Sequence, residues 1–119
     1  KKFDYQPYID RFDNAMKNSY HLFGRYSFRK CFPDHINPMA YRQLINKALF
    51  VSWSVLLSLC DYDKIKDTTA AEALAMPLAQ RVEEDNDLFQ YLTYSTNSKV
   101  NIQAAFRTAE QLIMNVLNI

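Results

Sequence analysis

Residues 23–32, with the sequence FGRYSFRKCF, combine side chains of the two kinds that bind nucleic acids. The segment carries three cations, Arg25, Arg29 and Lys30. Lysine and arginine neutralise backbone phosphates, and aromatic rings, of which the segment has four, stack on unpaired bases. Two further cations follow at Arg42 and Lys47. Residues 25–47 therefore predict a segment that contacts the phosphates of DNA.

A second interpretation of the same segment needs no nucleic acid. Phe23, Phe28 and Phe32 are large apolar side chains, and they can anchor a chain connection on the hydrophobic core. The cationic side chains would then extend along the surface with their charged ends in water. The two interpretations are compatible if the rings and the cations point in opposite directions.

Metal binding would require imidazole or thiolate ligands that meet in space. The chain offers His21, Cys31 and His35, and the last two are four residues apart. A zinc site usually has four ligands in short paired spacings, and here the fourth is missing unless Cys60 folds back. We therefore expect no metal site and no cofactor.

The acidic stretch DYDKIKDTTAAE resembles a calcium-binding loop in its spacing. Carboxylates stand at the first, third, seventh and twelfth positions, namely Asp61, Asp63, Asp67 and Glu72. Lys66 replaces the glycine that the loop requires at its sixth position, and Ile65 replaces the oxygen ligand at the fifth. The stretch therefore predicts a solvated turn between helices.

No pattern in the chain predicts catalysis. It has no phosphate-binding loop, no nucleophile elbow and no histidine paired by a recognisable motif with serine or cysteine. The acidic run at residues 83–87 points in several directions if it is helical, which is typical of a solvated face. We expect no catalytic residue, and hence no enzymatic activity of this domain alone.

Length and composition fit one domain in a reducing compartment. The 119 residues are 49% hydrophobic and 23% charged, which is ordinary for a soluble globular protein. The two cysteines do not make a disulfide framework, which favours the cytoplasm. The longest apolar stretch, residues 48–60, is too short to span a membrane. The first residues, KKFDY, lack an initiator methionine, and we expect the chain to be a C-terminal fragment of a longer protein.

The net charge of +1 conceals a strong asymmetry along the chain. Between Lys17 and Lys47 there are six cations and one anion, a formal charge of +5. Between Asp61 and Asp87 there are three cations and eight anions, a formal charge of −5. Such a pattern can orient a binding partner, although most charge blocks are solvated faces.

The elements that must position these residues are predicted to be helices. A single glycine in 119 residues argues against tight hairpins. Apolar residues recur at helical spacing in the first helix, at Ile9, Phe12, Met16, Tyr20 and Phe23, and Gly24 then predicts its end. Asn37 and Pro38 predict the start of a second helix that runs to Cys60 and is apolar nearly all round, so we expect it to be buried.

The second half of the chain predicts three more helices. TAAE at residues 69–72 matches a capping box, and Pro77 should kink or split the helix that follows. A short helix is predicted around Leu88–Tyr94, and a last one carries Ile102, Phe106, Ala109, Ile113 and Val116. The prediction is a single all-α domain over residues 1–119, a compact bundle of about five helices with a buried central helix.

Several short motifs resemble a known family. FDNAMKNSYHLFGRYSFRK and INKALFVSWSVLL are similar to the C-terminal helical region of GmrS-type proteins, the ParB-like NTPase subunits of GmrSD-type (type IV) restriction systems. The resemblance rests on Phe23-Gly24, Phe28-Arg29 and the run Asn46-Lys47-Ala48-Leu49-Phe50. SKVNIQAAFRTAEQLI, with Arg107, also resembles the closing helix of that region.

The resemblance implies a non-catalytic accessory domain of a protein that acts on foreign DNA. The Asp-Gly-Gln-Gln-Arg motif of the family's N-terminal domain is absent from these residues, so no catalytic residue carries over. The implied partner is an N-terminal NTPase domain of the same parent chain or a partner subunit. Gly24 would then be a helix stop, and Asn46 would pair with Arg29 across two helices. The alternative function is DNA binding through residues 25–47.

Overall fold

The computed structural model describes residues 2–36, 44–94 and 98–117, and these form six α-helices. The helices are α1 (Gln6–Phe23), α2 (Lys47–Ser58), α3 (Tyr62–Thr68), α4 (Ala75–Glu84), α5 (Asn86–Thr93) and α6 (Lys99–Leu117). Short 3₁₀ turns occupy Gly24–Tyr26 and Pro33–His35. The predicted all-α fold is confirmed, with one helix more than the five expected.

The additional helix is α3, which forms where the sequence predicts a solvated turn. Ile65, in its middle, is 1% exposed and belongs to the hydrophobic core. A seven-residue helix is not stable alone, so this buried anchor explains why the acidic stretch is helical. The helix also prevents the carboxylates of residues 61–67 from wrapping around an ion as a calcium loop does.

The start of α2 differs from the prediction. Asn37 and Pro38 lie outside the described residues, but residues 44–46 are not helical, so a continuous helix from Asn37 is wrong. Ile45 instead forms an isolated antiparallel bridge with Arg29, and the Asn46 amide donates to the Phe28 carbonyl at 2.7 Å. This long-range pairing holds the backbone extended until Asn46 caps the helix.

The predicted capping box at residues 69–72 is also wrong. Glu72 has a φ of 59°, and its amide donates to the His21 carbonyl at 2.7 Å. Leu74 likewise donates to the Leu22 carbonyl at 2.9 Å, so this loop satisfies carbonyls at the end of α1. The helix α4 begins only at Ala75. Pro77 then lies in its first turn, where its missing amide costs nothing, and α4 continues past it as one helix.

All six helices contribute to one hydrophobic core. Its largest fully buried side chain is Trp53 of α2. The helices α1 and α2 are antiparallel, because Asn14 and Asn18 of α1 contact the end of α2, whereas Phe23 at the end of α1 contacts Trp53 in the middle of α2. The helix α2 is therefore central, but its outer face is open. Val55 within α2 is 49% exposed, and Leu59, which caps the end of α2, is 78% exposed, so the helix is less buried than predicted.

The buried face of α1 follows the predicted apolar stripe only at Phe23 and, in part, at Met16. The buried residues are Ala15, Asn18, Ser19, Leu22 and Phe23, whereas Ile9, Phe12 and Tyr20 of the predicted stripe are exposed. The physical reason is polar anchoring. The Nδ2 of Asn14 lies 2.7 Å from the Cys60 carbonyl, and that of Asn18 lies 2.8 Å from the Leu57 carbonyl. Both carbonyls lie where α2 ends, and the Leu57 carbonyl also accepts a turn hydrogen bond from the Cys60 amide at 3.2 Å. The two asparagines supply further donors there and so turn α1 toward the end of α2.

Candidate functional site

The aromatic rings of residues 23–32 mostly face the core. Phe23 packs edge-on against Trp53 with ring centres 4.8 Å apart, and Phe28 packs against Phe50 at 4.9 Å. Phe32 stacks on the Phe89 ring at 5.5 Å. These contacts agree with the packing interpretation for the three phenylalanines. Only Tyr26 among the four rings of this segment has no such core contact in the described part of the chain.

Gly24 ends α1 with φ 57° and ψ −131°, a conformation that side chains strongly disfavour. Its amide donates to the Tyr20 carbonyl and closes the last turn. A Cβ at this position would also lie 2.9 Å from the Glu72 carboxylate. The predicted helix stop is therefore present, and glycine is needed mainly for its backbone conformation.

Phe28 also has a positive φ, of 60°, which is unusual for a bulky residue. Two contacts hold it there: its ring packs on Phe50, and its carbonyl accepts the Asn46 amide. Glu72 is the third residue with positive φ in the described chain. Gly24, Phe28 and Glu72 all lie in the wall of one cleft.

This feature, which we call the basic cleft, is an open cleft of about 870 Å³ between α1, the turn after it, α3 and the loop before α4. Its cations are Lys17, Arg25 and Arg29, and its carboxylate is Glu72. Polar and aromatic groups from α1 and α3 complete it, namely Ser19, Tyr20, His21 and Tyr62.

Local contacts orient the cations of the basic cleft. The Arg25 guanidinium lies 5.0 Å from the Tyr26 ring and donates to the Tyr26 hydroxyl at 2.9 Å. The Nε of Arg29 donates to the Arg25 carbonyl at 3.0 Å. Lys17 places its ammonium 6.0 Å from the centre of the Tyr62 ring. The structure thus brings two of the five predicted phosphate ligands together and adds Lys17, which the sequence singled out only as part of a basic stretch.

The other predicted cations lie elsewhere. Lys30 donates to the Thr93 hydroxyl at 2.8 Å, lies 4.8 Å from the Phe89 ring centre, and has a pKa lowered by burial. It lines a second cleft, of about 460 Å³, with Lys47. Arg42 lies outside the described residues. The four described cations of the predicted set therefore line two clefts, with Ile45 in the wall of both.

The side chain of Asn46 makes hydrogen bonds other than the predicted one with Arg29. Its side-chain oxygen accepts the Leu49 amide at 3.1 Å and so caps α2. Its Nδ2 donates to the Leu92 carbonyl of α5 at 2.6 Å. One amide side chain thus satisfies the start of α2 and ties it to α5.

Several residues of the site were missed because they are distant in sequence. Tyr62 and Glu72 come from the acidic half of the chain, and no local motif marks either as part of a basic cleft. Ser19 is 1% exposed, and its hydroxyl has no hydrogen-bond partner among the described residues. Lys17, Tyr20 and Gly24 are spaced three and four residues apart, and this spacing could have indicated that they line the same side of α1.

Three of the candidate metal ligands, His21, Cys31 and Cys60, lie among the described residues. Within the described residues, no three His, Cys, Asp or Glu side chains lie close enough to hold a metal ion. His21 contacts the Thr69 carbonyl and hydroxyl, each at 3.0 Å. Burial raises the pKa of both thiols, Cys31 and Cys60, despite the nearby cations Arg29 and Lys64. The side chain of His35 lies outside the described part of the structure.

Comparisons of the chain with protein-family models, with curated proteins and with solved structures gave no match. Across the described residues, none of the helices has both the length and the apolar character needed to cross a bilayer.

Proposed function

We propose that this domain is a non-catalytic helical interaction domain of a DNA-targeting, restriction-like protein, and that the first two turns of α1 are its docking surface. One observation carries the proposal. Five large apolar residues at and before the start of α1 are exposed, from 49% to 79%: Phe3, Tyr5, Tyr8, Ile9 and Phe12. We call this set the aromatic face.

The size of the aromatic face fits an interdomain contact. Aromatic side chains bury about 150–250 Å² each, so its five members offer roughly 600 Å² at their present exposure. A partner of similar area would bring the total to roughly 1,200 Å², within the range of interfaces between domains. Patches of this size mark interaction sites on soluble proteins.

The neighbouring side chains also fit an interface. Asp10, Arg11 and Asp13 are exposed on the same turns and carry both signs of charge. An apolar centre with a polar, charged rim is the usual composition of a protein interface. Together with the resemblance to GmrS-type proteins, this favours an apolar surface of a ParB-like NTPase domain as the occupant. A partner subunit is the other occupant that the experiment would distinguish.

The test begins with the encoding gene and, where that gene encodes a longer chain, compares the domain alone with that chain. If a ParB-like domain precedes these residues, hydrogen exchange of the α1 amides between Tyr8 and Phe12 should be at least about tenfold slower in the longer chain, since docked backbone opens less often. The double variant Ile9→Glu, Phe12→Glu should restore fast exchange. Both positions are exposed, so the domain itself should remain folded.

Val100→Glu provides the matched control, because Val100 is also an exposed apolar residue, 60% exposed, at the start of α6. It should leave the exchange of α1 unchanged. Equal exchange of α1 in the domain and in the longer chain would reject docking within the chain. Protection that appears only when a second encoded subunit is added would assign the aromatic face to that subunit.

DNA binding is the second candidate, and the basic cleft is the observation that favours it. Arg25 and Arg29 line that cleft with Lys17, while Lys30 and Lys47 lie around the neighbouring cleft. A duplex or single strand crossing both clefts would meet cations throughout its path. Such binding should weaken steeply with salt, and each phosphate contact adds about 0.9 to the slope of log affinity against log salt.

The DNA experiment is a salt titration of the fragment with single- and double-stranded DNA. Replacing Arg25, Arg29 and Lys47 by Ala should lower the slope by roughly 2 to 3 if all three contact phosphates. Arg107→Ala, on the exposed side of α6, is the control. Undetectable binding at low salt would reject this candidate and leave the docking function.

A further inference from the structure

We infer that the partner of the aromatic face is a single amphipathic α-helix that runs antiparallel to α1, in line with α2, and carries lysine or arginine along one flank. The inference rests on the docking function proposed above and names the kind of partner. Three features support it: the uncovered start of α1, the end of α2 beside it, and an acidic cleft on one flank.

The first two turns of α1 extend beyond the rest of the described domain. Residues 6–13 are all exposed, whereas Asn14 is the first partly covered residue and Ala15 is the first buried one. At about 1.5 Å per residue, the exposed stretch is about 12 Å long. Two helical turns are not stable alone, because most helical stability comes from the packing of an apolar face. A partner that packs on this face would therefore stabilise the start of α1.

The apolar seam of this stretch continues the face that α1 buries. Six residues follow one another at alternating spacings of three and four: Tyr5, Tyr8, Phe12, Ala15, Ser19 and Leu22. The last three are each 1% exposed, whereas the first three are 52% to 68% exposed. This is the heptad spacing with which one helix packs along another, and Phe23 on the buried part contacts Trp53 of α2. The exposed half of the seam therefore suits the same kind of partner, which is a helix.

The place for this helix lies beyond the end of α2. Asn14 and Asn18 contact carbonyls at the end of the antiparallel α2, so residues 6–13 extend past that end. A helix packed along them would continue the line of α2, and Leu59 adds exposed apolar surface at the junction. The last turn of α2 has no basic residue to offset the partial negative charge of its carbonyl end. A partner helix with its N-terminus at this end supplies a positive partial charge, which favours the direction antiparallel to α1.

An acidic cleft on one flank of the seam indicates a basic partner. We use this name for a cleft of about 400 Å³ between α1 and α3, where one cation and three carboxylates give a formal charge of −2: Lys17, Asp10, Asp13 and Asp63. The Asp10 carboxylate accepts a hydrogen bond from the neutral Gln6 side chain at 2.8 Å, which does not balance its charge. Asp13 is four residues from Ile9 and is therefore its neighbour on one side of α1. Lysine or arginine on the facing flank of a helix seated on the seam would be attracted to this cleft.

A second copy of the chain fits this surface less well. In a two-fold symmetric, antiparallel pair of α1 helices, each flank faces the same flank of the other copy. The acidic flank, which carries Asp10 and Asp13, would then face itself, and like charges repel. The charges therefore favour a different chain segment with a basic flank over self-association.

The probes are three synthetic peptides of about 14 residues, or two heptads, each kept helical by a covalent link on its outer face. The first has leucine at the seam positions and lysine at the flanking positions. The second has glutamate at the flanking positions, and the third has the composition of the first in shuffled order. Titration of the folded chain at low salt, followed by amide shifts in NMR spectra, gives each Kd and locates the contact. We expect the lysine-flanked peptide to bind at least about tenfold more tightly than the other two, with the largest shifts at residues 8–12.

Variants at exposed positions assign the contact. Phe12→Gln should raise the Kd for the lysine-flanked peptide at least about tenfold, because it removes an aromatic ring from the seam. Val100→Gln, at an exposed apolar residue of α6, is the matched control and should leave the Kd unchanged. The double variant Asp10→Lys, Asp13→Lys should reverse the preference, so that the glutamate-flanked peptide binds more tightly than the lysine-flanked one. A variant that only damaged folding would not produce this reversal.

A nitroxide label on the lysine-flanked peptide tests the direction of the helix. A label at the N-terminus of the peptide should broaden the amide signals of Ala15 and Leu59, which lie at the end of α2. A label at its C-terminus should instead broaden those of Gln6 and Tyr8. The opposite pattern would overturn the antiparallel direction.

Three results would overturn the helical partner itself. The first is no binding of the lysine-flanked peptide at millimolar concentration, and the second is equal binding of the shuffled peptide, which would indicate nonspecific attraction. The third is a dimer of the chain, seen by sedimentation, that Phe12→Gln dissociates, which would assign the aromatic face to a second copy. Protection of α1 in the longer chain together with either of the first two results would retain the docking function and reject only the helix. Missing protection would reject docking within the chain even where the peptide binds.

Discussion

Asn46 makes two hydrogen bonds, and the contribution of each to the free energy of unfolding can be predicted. Its side-chain oxygen caps α2 through the Leu49 amide, and its Nδ2 donates to the Leu92 carbonyl at 2.6 Å. Loss of a cap costs about 1 kcal/mol, and leaving a partly buried carbonyl without its donor costs about a further 1–2 kcal/mol. Asn46→Ala should therefore lower the free energy of unfolding by about 2–3 kcal/mol.

Asp85 provides the matched comparison, since it caps α5 through one hydrogen bond to the Leu88 amide at 3.1 Å. Asp85→Ala should cost about 1 kcal/mol. Asn46→Ser should lie between the two, because a serine hydroxyl keeps the cap but is too short to donate to Leu92. The expected order of stability is wild type, Asp85→Ala, Asn46→Ser and Asn46→Ala.

Urea unfolding followed by the emission of Trp53 measures these differences, because Trp53 is the single tryptophan and is 1% exposed in the core. Circular dichroism in the far ultraviolet should give the same midpoints if unfolding is two-state. The reasoning fails if Asn46→Ala is no more destabilising than Asp85→Ala. In that case the bond to Leu92 contributes nothing net, and Asn46 acts as a cap alone.

Three other predictions concern the ends of α1 and α2 and the cysteines. Gly24→Ala should lower the free energy of unfolding by about 1–2 kcal/mol, because φ is positive at this residue. The same loss should appear when Gly24→Ala is made in a Glu72→Ala background, and urea unfolding measures it in both backgrounds. Asn18→Asp should be more destabilising at neutral pH than Asn18→Ala, because a buried carboxylate would face the Leu57 carbonyl. Burial raises the pKa of such a carboxyl, so the deficit should shrink as the pH falls through that raised pKa, in unfolding measured from pH 7 to pH 4. Cys31 is 5% exposed and has a raised pKa, so at pH 7.5 it should react with a thiol reagent at least about tenfold more slowly than free cysteine. Half-buried Cys60 should react faster than Cys31. The variant Cys60→Ser leaves Cys31 as the one thiol and so gives its rate separately.

The helical class and several helix ends were predictable because their signals are local. Scarce glycine and the apolar spacing indicate helices, Gly24 ends α1, and the acidic run before α5 contains its cap, Asp85. Each of these depends on residues within one or two turns of each other. Such interactions can be recognised from the sequence alone.

The wrong helix starts share one cause, which is long-range hydrogen bonding. The amides of Asn46, Glu72 and Leu74 all donate to carbonyls far away in the sequence, and each lies where a predicted helix start was wrong. The apolar stripe of α1 failed for a related reason, because Asn14 and Asn18 turn a polar edge of the helix inward. No local pattern distinguishes an asparagine that caps a distant helix from one that faces water.

The candidate site was predictable only in part for the same reason. Residues 23–32 identified Arg25 and Arg29, which both line the basic cleft. Nothing local indicated that Lys30 would turn away toward α5, or that Tyr62 and Glu72 would complete the cleft. A cleft formed by four separate chain segments depends on the fold, and its composition could not be read from one of them.

Gly24, Phe28 and Asn46 have roles in one structural joint. Gly24 ends α1, the Phe28 carbonyl accepts the Asn46 amide, and the Asn46 side chain caps α2. These contacts fix how the connection after α1 meets the start of α2, and they need no ligand. The conformation of the joint accounts for these residues, so they do not by themselves indicate an activity. Function has to be argued from side chains that the joint positions without using them for its own hydrogen bonds.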